Sequence, residues 1–156
     1  MTTTAGGPPA RPIPTPSPLS RPFWEGTKQG VLRLQQCTRC GGFEWTPQMA
    51  CSRCLEETLQ WVTATGRGSV YSYSVVHRPQ GPAFVPPYVV AIVTLAEGPH
   101  MLSDLVDVAP EDVRIGMDVE VAFEDVGEVA LYHFRPASGP ATTDPTGAAP
   151  RGEVIP

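Results

Sequence analysis

The chain has 156 residues and a formal net charge of −5, from 16 acidic and 11 basic side chains. An acidic surface gains nothing from neutralising phosphates, so this balance disfavours a general nucleic-acid-binding protein. No apolar run approaches the ~20 residues that a membrane-spanning helix needs, and the N-terminus has neither a basic start nor an apolar stretch. We therefore expect no membrane association and a cytoplasmic location.

Proline is unevenly distributed and marks both ends of the chain. Residues 1–19 contain six of the 19 prolines and almost no large apolar side chain. Segments of this composition bury too little apolar surface to offset the entropy lost on ordering. We predict disordered tails at residues 1–19 and 137–156, which leaves residues 20–136 to form one modest core and a small metal-stabilised subdomain.

A short helix is predicted at the start of the folded part. Ser20 is a candidate N-cap, Pro22 suits the first turn, and Gly30 would end the helix. The helix carries two large aromatic side chains, Phe23 and Trp24. They either cover the core of this protein or offer an apolar surface to a partner.

Two Cys-x-x-Cys pairs, separated by ten residues, contain the four cysteines of the sequence: Cys37, Cys40, Cys51 and Cys54. This spacing places four thiolates where two short loops can close on one tetrahedral ion. Because four cysteines leave no coordination position open, the predicted site is structural rather than catalytic, and zinc is the expected metal.

Three other uses of these cysteines are weighed against zinc. A pair of disulfides is disfavoured because no signal peptide precedes them. A redox-active Cys-x-x-Cys normally occurs once and opens a helix after a strand, whereas here the motif occurs twice. Iron in a rubredoxin-type centre uses the same four ligands and stays open as an alternative.

The residues around the cysteines predict a zinc ribbon, in which a metal holds small hairpins together in place of a large core. Residues 31–36 and 42–47 have strand character and flank the first cysteine pair. Gly41 follows that pair and suits a tight loop, whereas Leu55 follows the second pair and makes its turn less ideal. The side chains expected to cover the apolar side of the ribbon are Trp45, Pro47 and Met49.

After residues 59–62 lead the chain out of the ribbon, the pattern changes to strands separated by turns. The predicted strands are residues 69–77, 88–95, 100–106, 118–124 and 129–134. One helical turn at residues 110–113 separates the third from the fourth. Five short strands at this spacing favour a small Greek-key barrel of the OB type. We therefore predict two domains: a helix and zinc ribbon at residues 20–62, and a barrel at residues 63–136.

The chain offers little that indicates catalysis of its own. The three histidines, His77, His100 and His133, each lie on a predicted strand, where a structural role is expected. Ser103 and Asp104 lie near His100, but neighbours on one strand point to opposite faces and so do not form a triad. Neither a Gly-x-Ser-x-Gly motif nor a Gly-rich phosphate loop is present.

Five stretches together carry a resemblance to a known family. They are residues 22–26 (PFWEG), 34–41 (LQQCTRCG), 51–54 (CSRC), 66–72 (GRGSVYS) and 115–119 (IGMDV). In order and spacing this set resembles the DUF35 family over about residues 21–136. One departure from the family's pattern is the absence of a glycine after Cys54. The resemblance implies a mainly β fold with a short N-terminal helix, a rubredoxin-like zinc ribbon and a five-stranded OB-fold barrel.

The resemblance also implies a partner protein rather than a free-standing enzyme. Members of the family are similar to small non-catalytic subunits of thiolase-superfamily enzymes that act on acyl-CoA thioesters, including aldolases and thiolases of steroid or lipid side-chain degradation. Some associate with MaoC-type enoyl-CoA hydratases. By this resemblance the partner supplies the catalytic residues, the two chains form a hetero-oligomer, and acyl-CoA lies at the shared interface.

The loop between the first two barrel strands, residues 77–88, is the candidate contact surface. Four prolines stiffen it, Phe84, Val85 and Tyr88 give it an apolar edge, and Arg78 adds a positive charge. A rigid apolar loop loses little entropy when it docks. It either contacts the partner or lines the entrance for the pantetheine arm, or it is an ordinary loop that covers the barrel mouth.

Two further functions compete with the accessory subunit. Zinc ribbons and OB folds both occur in single-strand nucleic-acid-binding modules, although the acidic balance counts against this function. A rubredoxin-like iron electron carrier is the other alternative. Elemental analysis of the metal separates it from a zinc protein.

Overall fold

The computed structural model describes residues 11–139. One helix, α1 (Arg21–Lys28), precedes three strands, β1 (Arg33–Cys37), β2 (Phe43–Glu44) and β3 (Leu59–Thr63). Five further strands follow: β4 (Arg67–Val76), β5 (Tyr88–Leu95), β6 (His100–Leu105), β7 (Asp118–Asp125) and β8 (Ala130–Pro136). A 3-10 turn at Pro110–Asp112 lies between β6 and β7. The predicted mainly β fold class is confirmed.

The first three strands form the sheet of the metal ribbon. Their order is β2-β1-β3, and both pairings are antiparallel. β3 pairs with β1 along its whole length, from Leu59 opposite Cys37 to Thr63 opposite Arg33. The expectation that residues 59–62 merely lead out of the ribbon is therefore wrong, since they form its third strand.

The other five strands close into a barrel in the order β4-β5-β6-β8-β7, and β7 pairs back onto β4. The pairing of β6 with β8 is parallel and the others are antiparallel, which is the topology of an OB fold. Inward-facing apolar residues alternate along the strands, most regularly on β5, where Val89, Ala91, Val93 and Leu95 are buried.

An aromatic cluster joins the helix, the ribbon and the barrel. Phe23 of α1 lies 4.6 Å from Trp45, which follows β2, and 5.5 Å from Tyr132 on β8, measured between ring centroids. Trp24 lies 5.0 Å from Phe23 and 6.3 Å from Tyr132. Four large rings in mutual contact bury much apolar surface, so they fix the ribbon on the barrel.

Three local features differ from expectation. Met49 is 77% exposed and does not cover the ribbon, although Trp45 packs against the core. Ser20 precedes the helix but its side chain does not cap it; its hydroxyl accepts a hydrogen bond from the backbone N–H of Ser17 at 3.0 Å. Residues 11–17, expected to belong to a tail, form neither helix nor strand, and Arg11, Pro12 and Pro14 lie against the barrel.

The remaining tail residues, 1–10 and 140–156, lie outside the described part of the chain, so their disorder stays a prediction. Residues 137–139 follow directly on β8, and the backbone N–H of Ala137 donates to the Asp118 carbonyl at 3.0 Å.

Candidate functional site

The four cysteines come together at one end of the ribbon. Their sulfur atoms all lie within 4.8 Å of one another, with Cys37 Sγ 3.6 Å from Cys54 Sγ and Cys40 Sγ 3.5 Å from Cys51 Sγ. A disulfide would need about 2.05 Å, and all four cysteines are free. Metal–sulfur bonds of about 2.3 Å in a tetrahedron place the sulfurs about 3.8 Å apart. The cluster therefore fits one tetrahedral metal ion.

The two cysteine loops have the same backbone construction. In the first, the Gly41 N–H donates to the Cys37 carbonyl at 2.9 Å; in the second, the Leu55 N–H donates to the Cys51 carbonyl at 2.9 Å. Gly41 has φ +72° and Leu55 has φ +61°. The turn that sequence put in doubt thus forms in the same way as the first, with a leucine in the left-handed conformation.

Neighbouring polar groups favour the thiolate form at Cys37. The Thr58 hydroxyl lies 3.2 Å from its sulfur and the Cys40 backbone N–H 3.5 Å from it. These contacts, the Thr58 hydrogen bond above all, lower the pKa of Cys37 to about 6. Because a metal binds the thiolate, this environment favours coordination by Cys37, whereas the pKa values of Cys51 and Cys54 are raised.

Two buried polar side chains hold the segment between the cysteine loops. Gln35 bonds the backbone of Gln48 twice, donating to its carbonyl at 3.0 Å and accepting from its N–H at 2.7 Å. Glu44 accepts from the backbone N–H and the hydroxyl of Ser52, at 2.8 and 2.9 Å. Sequence reasoning missed both residues. The only signal was a polar side chain at a strand position beside the ligands.

A cleft of about 390 Å³ lies on the outer face of the barrel. Strands β5, β6 and β8 form its floor, and α1, the β4–β5 loop and residues 11–14 form its sides. Its apolar lining consists of Pro12, Pro14, Trp24, Phe84, Val85, Tyr88, Val90, Leu102, Leu131 and Tyr132. A concave, largely apolar site with a few polar groups is typical of ligand or partner binding.

The structure brings four of the six predicted interface residues together in this cleft. Trp24, Phe84, Val85 and Tyr88 line it, and the rings of Phe84 and Tyr88 stack with centroids 5.9 Å apart. Phe23 is 1% exposed and belongs to the core beneath, where it supports Trp24. Arg78 is exposed in the same loop but does not line the cleft.

A charged cluster forms the polar end of the cleft. His133 Nδ1 lies 2.6 Å from an Asp104 oxygen, and His133 Nε2 lies 3.2 Å from a Glu124 oxygen. The hydrogen bond to Asp104 raises the pKa of His133, and the charge on Glu124 acts in the same direction, against the effect of burial. When protonated, His133 can donate to both carboxylates and so link β8 to β6 and β7.

This cluster was not apparent from sequence, because Asp104 and His133 are 29 residues apart. Only the pairing of β6 with β8 brings them together. His100 takes no part in it: its Nδ1 lies 3.1 Å from the Thr94 hydroxyl, and its ring lies 4.6 Å from the Tyr71 ring. The Ser103 hydroxyl donates to the Tyr132 carbonyl at 3.0 Å, so these residues do not assemble a triad.

Within residues 11–139 there is no helix with the length and apolar character that a bilayer crossing requires.

A four-cysteine ribbon joined to a five-stranded OB barrel defines a class of two-domain proteins. Residues 24–60 match the family described as "ChsH2, rubredoxin-like zinc ribbon domain", and residues 61–124 match "ChsH2, C-terminal OB-fold domain". A "DUF35 domain-containing scaffold protein" of Methanocaldococcus jannaschii is 39% identical over 95 residues, covering 60% of this chain and 67% of the relative. The chain belongs to the DUF35 family.

Two further matches concern larger assemblies. The solved structure "Ltp2-ChsH2(DUF35) aldolase" matches at 38% identity and a TM-score of 0.73, over 80% of this chain and 98% of the matched one. The "3-oxo-4,17-pregnadiene-20-carboxyl-CoA hydratase alpha subunit" of Mycobacterium tuberculosis is 35% identical over 114 residues, covering 73% of this chain. The chain spans little more than a third of the length of the hydratase alpha subunits it matches.

Proposed function

We propose that this chain is a non-catalytic subunit that binds a thiolase-superfamily enzyme and completes its acyl-CoA channel. The observation that carries the proposal is the match to 98% of the DUF35 chain of an aldolase complex. An aldolase or thiolase of steroid or lipid side-chain degradation is the preferred activity of the complex. A MaoC-type hydratase is a second partner, because related subunits carry hydratase names.

The state of the reactive side chains supports a non-catalytic role. The four thiols share the metal cluster, the Ser103 hydroxyl donates to a backbone carbonyl, and both His133 nitrogens face carboxylates. A nucleophile needs a free base within hydrogen-bond reach, and none of these groups has one. The partner would therefore supply the catalytic residues.

We propose zinc as the metal, held by Cys37, Cys40, Cys51 and Cys54. Bound there, zinc supplies a crosslink between the two cysteine loops and no open position for chemistry. Elemental analysis that finds one zinc in a colourless preparation supports this assignment; a coloured, iron-containing protein supports the electron carrier instead. Cysteines that bind a metal must stay reduced, and these four form no disulfide. A reducing compartment suits this state, so the cytoplasm remains our proposed location.

The cleft and the β4–β5 loop form the proposed contact with the partner and its acyl-CoA. Val85 is 82% exposed at the cleft edge, where a charge disturbs docking without disturbing the fold. Val85→Asp is therefore expected to weaken association with the co-purified thiolase-like protein about tenfold. Loss of an apolar side chain that anchors an interface has an effect of this size. Association is measured by titration calorimetry or by size exclusion of the mixed proteins.

Ile115→Asp is the matched control. Ile115 is 72% exposed, does not line the cleft, and receives the same change of side chain. We expect this variant to bind the partner as the wild type does. Equal affinity of both variants would show that the loop is not part of the interface. Failure of the wild-type chain to bind any thiolase-like protein would refute the proposed function itself.

A further inference from the structure

The N-terminal segment of the described chain forms one side of the cleft. Pro12 and Pro14 line the cleft, and Pro16 lines a neighbouring recess on the other side of Trp24. We call residues 11–16 the strap. Three prolines in six residues restrict the strap to an extended conformation, so little entropy is lost when it lies against the aromatic side chains.

The two ends of the strap are held very differently. At its C-terminal end, Ser17 and Ser20 exchange hydrogen bonds between backbone N–H and hydroxyl at 3.0 and 3.1 Å, in a turn that leads directly into α1. At the other end, the Arg11 guanidinium lies 3.7 Å from a Glu124 oxygen and 5.6 Å from the centre of the Phe84 ring. The first end is therefore part of the fold, whereas the second is a surface contact.

Little else holds the strap closed. Ile13, its largest apolar side chain, is 52% exposed, and Pro12 and Thr15 are exposed. An exposed ion pair contributes little and is screened by salt. The floor beneath, which includes Val90, Leu102 and Leu131, is apolar and gains from contact with any apolar group.

We propose that the strap is a displaceable side of the cleft, held in place by Arg11 in the free chain and moved outward when an apolar acyl group enters. The identity of the entering group rests on the proposed function. The opening itself does not, because it depends only on contacts within this chain.

The test measures access to the cleft with the neutral apolar dye Nile red, titrated into the full-length chain. Arg11→Ala removes both contacts at the free end and is expected to tighten dye binding about fivefold, the factor that an exposed pair and a cation–π contact represent. Glu124→Gln breaks the ion pair but leaves Arg11 beside the Phe84 ring, so it should tighten dye binding less; its amide oxygen can still accept a hydrogen bond from His133 Nε2. Because both changes affect one interaction, the double variant should not exceed Arg11→Ala.

Two controls locate the effect. Arg114→Ala makes the same change of charge at a residue that does not line the cleft, and dye affinity should stay at the wild-type value. Leu102→Lys places a charge on the exposed floor of the cleft and should abolish the increase in dye affinity caused by Arg11→Ala. Equal dye affinity of the wild type, Arg11→Ala and Arg114→Ala would refute the proposal. It would also be refuted if Arg11→Ala still raised the dye affinity in the presence of Leu102→Lys. Neither result bears on whether the chain binds a thiolase-like partner.

Discussion

Gly41 and Leu55 occupy the same position in the two cysteine loops, yet only the glycine suits the backbone conformation found there. Both residues have positive φ, and both N–H groups donate to the carbonyl four residues earlier. A side chain with a Cβ costs roughly 1–2 kcal/mol in the left-handed region. A metal held by the four cysteines would stabilise the second loop despite this cost, because Cys51 and Cys54 lie at its two ends.

Leu55→Gly is therefore expected to stabilise the metal-loaded protein by about 0.5–1 kcal/mol, since relief of backbone strain exceeds the added freedom of the unfolded chain. The lost side chain is exposed and contributes little burial. Gly41→Ala is the matched opposite and should destabilise by about 1 kcal/mol. Both values come from the free energy of unfolding in urea. A Leu55→Gly protein less stable than the wild type would show that the leucine makes a contact that outweighs its backbone strain.

At the scale of the elements, β4 and β5 approach each other so closely that one position admits only glycine. A Cβ on Gly68 would lie 2.4 Å from the Thr94 carbonyl oxygen and 2.8 Å from a Val93 methyl. Gly68→Ala must therefore move one barrel strand and is expected to destabilise the fold by about 1–3 kcal/mol. Gly81→Ala, in open space in the β4–β5 loop, should leave the melting temperature unchanged or raise it slightly. Equal melting temperatures for the two variants would contradict the close approach.

Elements with a strong local pattern were predictable from sequence, and contacts made by the topology were not. The continuous apolar run at residues 88–95 predicted β5, and the cysteine spacing predicted the cysteine cluster. The role of β3 was not predictable, because residues 59–62 look alike whether they leave a sheet or complete it. Asp104 and His133 likewise meet only through a parallel pairing of distant strands.

At the scale of the whole molecule, two stabilising principles operate side by side. The barrel is closed by its own strands around buried residues such as Val93, Met101 and Phe134. The ribbon has a three-stranded sheet with fewer buried apolar side chains than the barrel, and a metal held by its four cysteines would add to its stability. The aromatic cluster of Phe23, Trp24, Trp45 and Tyr132 connects them, and the ribbon residues Leu34, Phe43 and Val62 belong to the same buried apolar cluster as the barrel residues.

Removal of one metal ligand tests this division. Cys37→Ser should release the metal and unfold the ribbon, because binding contributes roughly 10–16 kcal/mol in small zinc peptides. The barrel retains its own core, so amide resonances of β4–β8 should persist in two-dimensional NMR spectra while those of β1–β3 collapse. Thr38→Ser, which keeps a hydroxyl in the same loop, should change neither metal content nor spectrum. If Cys37→Ser kept its metal and its folded ribbon, the structural assignment of the cysteines would be refuted. If the barrel unfolded together with the ribbon, the contacts of the aromatic cluster would make the two parts one cooperative unit.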